Sequence, residues 1–273
     1  MVSIVVTGRG GAGKTTVTAN LGTYFSGLGL STLLIDGDVY LPKLAFQFGM
    51  EDRSVSLHDL LKNPELNVRE ALYHDSLSGV DVVPGSSSIY DVLDTEQGTL
   101  RDIVSSLQVG YQLTIIDSPI GIPFDTIPTF RLADYQLIVV ELERSPMHSV
   151  KRMLENEVVK LKELGEAYGL SVGVMINKVR ESLDDSDEIV KYIEGKLGLP
   201  VVGIVPFDPW VPESTNYGRP LLSWYPGSPA SMALSEMGEI LDEWIFGSVK
   251  KSRWEKFREA FSSLLPRGTT KYL

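Results

Sequence analysis

The chain has 273 residues, 43% of them hydrophobic and 22% charged, a length and balance that suit one large globular α/β domain better than two small ones. Cysteine is absent, which excludes disulfides, thiolate nucleophiles, iron–sulfur clusters and Cys-ligated zinc; His58, His74 and His148 are scattered, each reading as a surface or capping residue rather than a ligand. The formal net charge is −11, no apolar run is long enough to span a bilayer, and the N-terminus enters a strand without a basic and then apolar leader, so a cytoplasmic protein is expected.

Residues 2–6 are apolar and β-branched and read as a strand. The run Gly8-Arg9-Gly10-Gly11-Ala12-Gly13-Lys14-Thr15-Thr16 follows, and 15–26 suits a helix. Between a strand and a helix, the pattern G-x-x-x-x-G-K-[ST] is a phosphate cradle. Its glycines let main-chain N–H groups close around phosphate oxygens, and the helix N-terminus adds a favourable dipole. Gly10, Gly11, Ala12, Gly13, Lys14, Thr15 and Thr16 are therefore the candidate nucleotide-binding residues, with Lys14 reaching the β- and γ-phosphates and Thr15 holding Mg²⁺.

Short β-branched runs at 32–35, 81–83, 113–116, 137–140, 172–176 and 201–205 continue the strand series. Helical patterns lie at 146–168, 186–197 and 229–246, and a Pro-, Gly- and Trp-rich stretch at 205–229 reads as a long ordered loop. Near-continuous apolar strands separated by helices imply an α/β fold with a mostly parallel sheet covered by helices on both faces. In such sheets ligands bind beyond the carboxyl ends of the strands. Three further strand ends carry polar residues: Ile35-Asp36-Gly37-Asp38, Ile116-Asp117-Ser118-Pro119 and Ile176-Asn177-Lys178. Asp117 and Asp38 are the acidic candidates for the Mg²⁺ site, and Asp38 also fits the orienting of an attacking water. A lone acid after a strand usually caps a turn; two in register with a glycine loop favour a site. Asn177 can both donate to and accept from a purine edge. The cations Lys178 and Arg180 stand where a guanine-specific site would place a carboxylate, which favours ATP over GTP.

The last segment differs from the rest. Residues 250–273 hold seven basic and two acidic side chains, net +5, so the other 249 residues carry −16. An acidic body argues against nucleic acid as a partner. On a helical wheel Trp254, Phe257, Phe261, Leu264 and Leu265 share an arc of about 100°, with Lys251, Arg253 and Arg258 beside its edges. This pattern suits an in-plane amphipathic helix on an anionic membrane surface at 250–265, and equally a last helix packed on the acidic body. The organisation expected is a nucleotide-binding domain at 1–248 and a basic amphipathic tail at 249–273.

The glycine loop, the Asp36-Gly37-Asp38 segment, Asp117-Ser118-Pro119-Ile120-Gly121, Asn177-Lys178-Val179 and Pro206-Phe207-Asp208-Pro209 occur in the order of the MinD/ParA family of deviant Walker A ATPases, and over about 1–246 the chain resembles its MinD branch. The resemblance implies a doubly wound α/β domain of the P-loop NTPase type that pairs face to face with a second copy when ATP is bound, hydrolyses ATP slowly, answers to a regulatory protein partner, and ends in a membrane-binding helix. It assigns Lys14 to phosphates, Thr15 to Mg²⁺, Asp38 to the catalytic water, Asn177 to adenine, and the segment around Pro206 and Asp208 to further base contacts. A ParA-like DNA-partitioning ATPase and a non-hydrolysing regulatory or scaffolding relative are the alternatives; absence of cysteine speaks against a metallocluster carrier. Three departures stand out. Arg9 replaces the family's lysine that crosses to the partner's phosphates, leaving Arg9 either an arginine finger in trans or a solvent-facing cation. Ile120 stands where a small residue or proline is usual, and the segment 141–146 is unlike the family's loop.

Overall fold

In the computed structural model, β1 (Val2–Gly8), β2 (Thr32–Asp36), β3 (Tyr73–Asp75), β4 (Val80–Val83), β5 (Leu113–Asp117), β6 (Tyr135–Glu141), β7 (Ser171–Val179) and β8 (Val201–Pro206) form one sheet in the order β3-β4-β2-β5-β1-β6-β7-β8. The structure describes residues 1–63, 65–86, 88, 100–119, 130–141, 147–180 and 183–247, with backbone alone at 183–186. Every pairing is parallel except β3 with β4. Each of the seven strands expected from sequence lies inside an observed one. β3 is the addition, an edge hairpin strand whose Tyr73-His74-Asp75 carries no apolar run to announce it.

Both faces of the sheet are buried because consecutive strand residues alternate between two apolar layers. Ile4, Val6, Leu34, Ile115, Leu137, Val139 and Met175 face one layer. It is covered by α1 (Lys14–Gly27), α6 (Trp210–Asn216), α7 (Leu221–Trp224) and α8 (Pro229–Phe246). Leu33, Ile35, Ile116, Ile138, Val140, Val174 and Ile176 face the other. There α2 (Leu57–Lys62), α3 (Leu100–Leu107), α4 (Met147–Ala167) and α5 (Leu183–Tyr192, continued by a π turn at Ile193–Leu197) pack. In α4 the buried positions Val150, Leu154, Val158, Leu161 and Gly165 recur every three or four residues, the stripe a surface helix needs. The expected doubly wound α/β fold is thus the observed one.

The stretch 205–229 is not the loop that its Pro and Gly content suggests. It contains α6 and α7, which the aromatic residues hold together: Trp210 meets Trp224 at 5.8 Å and Tyr225 at 5.0 Å edge to face, and Tyr217 stacks on Trp224 at 5.1 Å. Pro212 falls in the first turn of α6, where its missing N–H would be unpaired in any case. Among the described residues no helix is long and apolar enough to cross a membrane. Residues 248–273 lie outside the described residues, and with them the expected amphipathic helix.

Candidate functional site

β1 lies at the centre of the sheet, with β5 and β2 on one side and β6 and β7 on the other, so the exits of these strands gather around the glycine loop. Val6 pairs with Asp117, Asp36 with Asp117, and Glu141 with Asn177. The acids therefore stand on one flank of the loop and the amide on the other, from register alone.

The loop closes on itself. Gly13 is the N-cap of α1 in the left-handed region (φ 98°), and a Cβ there would run into the Asn177 amide, so both backbone shape and space require glycine. Asn177 Nδ2 donates to the Ala12 carbonyl at 2.8 Å. Lys178, at φ 56°, donates to the Gly11 carbonyl and to Glu141 Oε2 at 3.0 Å. Lys14 lies largely buried beneath the loop, its Nζ donating to the Arg9 carbonyl at 3.2 Å. Burial holds the Lys14 amine below its ordinary value, with the charges of Asp117 and Asp38 opposing. The unpaired N–H groups at the start of α1 complete an anion site.

Thr15 Oγ1 donates to Asp117 Oδ2 at 2.6 Å, and Asp117 Oδ1 is buried with no partner. Burial pushes the Asp117 carboxyl up to about 7, against the Thr15 hydrogen bond and the Lys14 charge, which lower it. Asp36 is also fully buried; desolvation first and Asp117 second raise it well above the usual carboxylate range. A hydroxyl and an orphaned carboxylate oxygen at the foot of the loop fit a hard cation such as Mg²⁺. Among the described residues no three His, Cys, Asp or Glu side chains gather into a metal cage. That suits Mg²⁺, which keeps most of its waters and takes few protein ligands beside substrate phosphates.

Asp36 is the functional residue that sequence reasoning passed over in favour of Asp38. Its Oδ2 accepts from the amides of Lys43 and Leu44, both at 2.8 Å, and its Oδ1 accepts from the Asp38 amide at 3.3 Å. It so clamps the loop that presents Asp38, whose own Oδ1 accepts from the amides of Tyr40 at 3.3 Å and Leu41 at 3.0 Å. Its only sequence signal is an acid at the last position of a buried strand.

Two adjoining cavities open here. One of about 480 Å³ is lined by Gly11, Lys14, Thr15, Asp38, Lys43 and Ser118. The other, of about 460 Å³, is lined by Thr16, Asn177, Arg180, Pro206, Phe207 and Asp208. Gly13, Thr16, Gln47, Lys178 and Thr215 belong to both walls. The expected phosphate residues and the expected base residues thus fall at opposite ends of one elongated site of small-molecule size. Arg180 lies over the Phe207 ring at 3.4 Å in the second cavity. Both oxygens of the buried Asp208 are engaged, with the amides of Trp210 and Ala230 at 3.0 Å each, so its carboxylate caps α6 and ties down the start of α8.

Arg9 turns away from both cavities. Its guanidinium, 29% exposed, reaches back to α4, with Nη1 4.0 Å from Glu157 Oε1. A contact in trans needs a second copy, so the single chain leaves open whether Arg9 crosses to a partner. Ile120 and residues 142–146, two of the departures noted above, lie outside the described residues.

Comparison with known proteins agrees with this geometry. The family model described as the CobQ/CobB/MinD/ParA nucleotide binding domain matches residues 3–221. An uncharacterised ATP-binding protein of Methanocaldococcus jannaschii is 30% identical over 265 residues, 97% of this chain and 94% of its own. The septum site-determining protein MinD of Pyrococcus horikoshii, solved with Mg-ADP, superposes with a TM-score of 0.78 at 25% identity, covering 91% of this chain and 99% of that one. MinD from the MinC:MinD cell division complex of Aquifex aeolicus gives 0.72 at 26% identity, covering 92% and 98%.

Proposed function

This chain belongs to the CobQ/CobB/MinD/ParA nucleotide-binding family, and from that premise we propose that it is a MinD-like ATPase whose ATP-bound form pairs with a second copy. The observation that carries this reading is the Thr15–Asp117 hydrogen bond beneath a glycine loop that also buries Lys14, with the Asp38 loop clamped beside it. Mg²⁺, held by Thr15 and through water by Asp117, would supply charge to the β- and γ-phosphate oxygens. Lys14 balances the same charge from below, and the amides at the start of α1 hold the phosphates in line. The Asp38 carboxylate accepts a hydrogen bond from the water that attacks the γ-phosphorus as the bond to the β-phosphate oxygen breaks. Asn177, Pro206 and the wall behind Asp208 enclose the adenine.

Pairing would bring Arg9 off Glu157 and toward the second copy's phosphates. Hydrolysis would remove the γ-phosphate that holds the pair together, which makes the cycle a switch. The tail at 250–265 would place the paired form on an anionic membrane, and a regulatory protein would read it, as MinC is found with its Aquifex MinD. Spatial positioning or control of division is the role this reading gives it. Sedimentation and turnover across protein concentration test the switch: Asp38→Ala should accumulate an ATP-bound dimer, and rapid hydrolysis by that variant would refute the role of Asp38. A ParA-like DNA partitioner is disfavoured by the −16 body and would show itself as an ATP-dependent gel shift. A binding switch without hydrolysis is the second reading, motivated by the departures at Ile120 and 141–146; turnover no faster than in Lys14→Ala would favour it.

A further inference from the structure

We propose that His58 is a positioning residue for Asp38: one buried imidazole ties the Asp38 loop at the exit of β2 to the chain leaving β4. The catalytic consequence rests on the ATPase reading; the tether rests on geometry. His58 is completely buried, although sequence suggests a surface or capping residue. Its Nε2 stands 2.7 Å from the Val39 carbonyl, and its Nδ1 accepts from the Ser86 amide at 3.0 Å. Both partners are main-chain groups of fixed polarity, so the ring is neutral with its proton on Nε2, donating to Val39 and accepting from Ser86.

The ring has a firm mount. Ser56 and Asp59 form a reciprocal capping box at the start of α2, with the Ser56 amide 2.7 Å from Asp59 Oδ2. The Leu57 amide donates to the Pro84 carbonyl at 2.8 Å, so the first turn of α2 is docked on the β4 exit. Gly85 is the floor: a Cβ there would overlap Pro42 of the Asp38 loop and come 3.5 Å from His58 Cε1. The loop is therefore fixed at one end by Asp36, through the amides of Lys43 and Leu44, and near the other by His58 at Val39. The Val39 carbonyl shares its peptide group with the Tyr40 amide, which donates to Asp38 Oδ1 at 3.3 Å, so holding that carbonyl helps to hold the aim of the Asp38 carboxylate. A displacement of about 1 Å in a reacting geometry can cost on the order of a hundredfold in rate.

The test uses the full chain. His58→Phe keeps a ring and removes both hydrogen bonds; His58→Gln keeps a donor able to reach the Val39 carbonyl. Amide exchange at Tyr40 and Leu41, whose N–H groups bond Asp38, should quicken by at least about tenfold in His58→Phe while α1 amides keep their rates. kcat for ATP should fall about tenfold with KM within about twofold, and His58→Gln should recover most of both. Unchanged exchange at Tyr40 and Leu41, equal quickening in α1, or faster loop exchange with unchanged kcat would each overturn the proposal. If His58→Phe does not fold, His58→Asn, which keeps an acceptor for Ser86 but falls short of Val39, is judged by the same exchange. A wild-type chain with no turnover above Lys14→Ala would refute the ATPase reading, while the exchange contrast would still decide the tether.

Discussion

On the ATPase reading, Arg9 and Asp117 are two side chains whose surroundings a bound nucleotide would change. The Arg9–Glu157 pair spans 4.0 Å between partly exposed groups, a contact worth about 0–1 kcal/mol, so this pair alone does little to fix Arg9. Glu157→Gln should therefore change unfolding free energy by no more than about 1 kcal/mol and leave kcat intact. Arg9→Ala should lower kcat at least about tenfold at concentrations where subunits pair, because a guanidinium supplied in trans stabilises phosphoryl-transfer charge. Turnover of Arg9→Ala equal to wild type across that range would show that Arg9 does not cross. For Asp117 the direction with pH is fixed by burial. The unfolded chain ionises it near 3.8 and the folded chain near 7, so its contribution to stability is fully present below 3.8 and is lost as pH rises toward 7; Asp36 acts in the same direction. Mg-ADP supplies the missing counter-charge, so the rise in melting temperature it gives should be larger at pH 8 than at pH 6. A thermal shift equal at both values would remove Asp117 from the metal. Lys14, Thr15 and Asp117 were legible in the sequence because a motif and a strand end are local patterns. Asp36 and His58 were not, because their partners are backbone amides and carbonyls that only the folded loop brings near.

Strands and long helices were legible for a similar reason: their apolar periodicity is local, and all seven expected strands appear. The elements that escaped are held by distant contacts. β3 exists because β4 is beside it, and α6 and α7 exist because four aromatic rings and one carboxylate lock them together. Asp208 makes this testable. Asp208→Ala would strand the amides of Trp210 and Ala230, at a cost of roughly 1–3 kcal/mol each before relaxation. α6 and the residues after β8 also wall the second cavity, so loosening them should weaken ATP binding as well as the fold. Urea unfolding should show a loss of at least about 1 kcal/mol, and titration of a fluorescent ATP analogue should show a raised Kd. A normal Kd in the destabilised variant would separate α6 from nucleotide recognition.

Across the whole molecule, charge is divided: a body at −16 and a terminal 24 residues at +5. An anionic bilayer repels a body of that charge on balance, so attachment is expected through the tail. Each basic residue near such a surface contributes about 1 kcal/mol, and an aromatic stripe would add apolar burial, so a single tail would be a weak and reversible anchor. Two tails on one ATP-bound pair act at high effective concentration and can bind 10²-fold or more tightly than one. Attachment should therefore follow the nucleotide. Sedimentation with phosphatidylglycerol vesicles should retain the chain with Mg-ATP, release it with Mg-ADP, retain Asp38→Ala for longer, and weaken steeply as salt rises above the physiological range. Removal of 250–273 should abolish retention while leaving ATP turnover unchanged. If the truncated chain still sediments, the membrane contact lies on the body against its own charge; if the full chain with Mg-ATP never sediments, the basic tail serves the acidic body instead, and truncation should then lower its melting temperature.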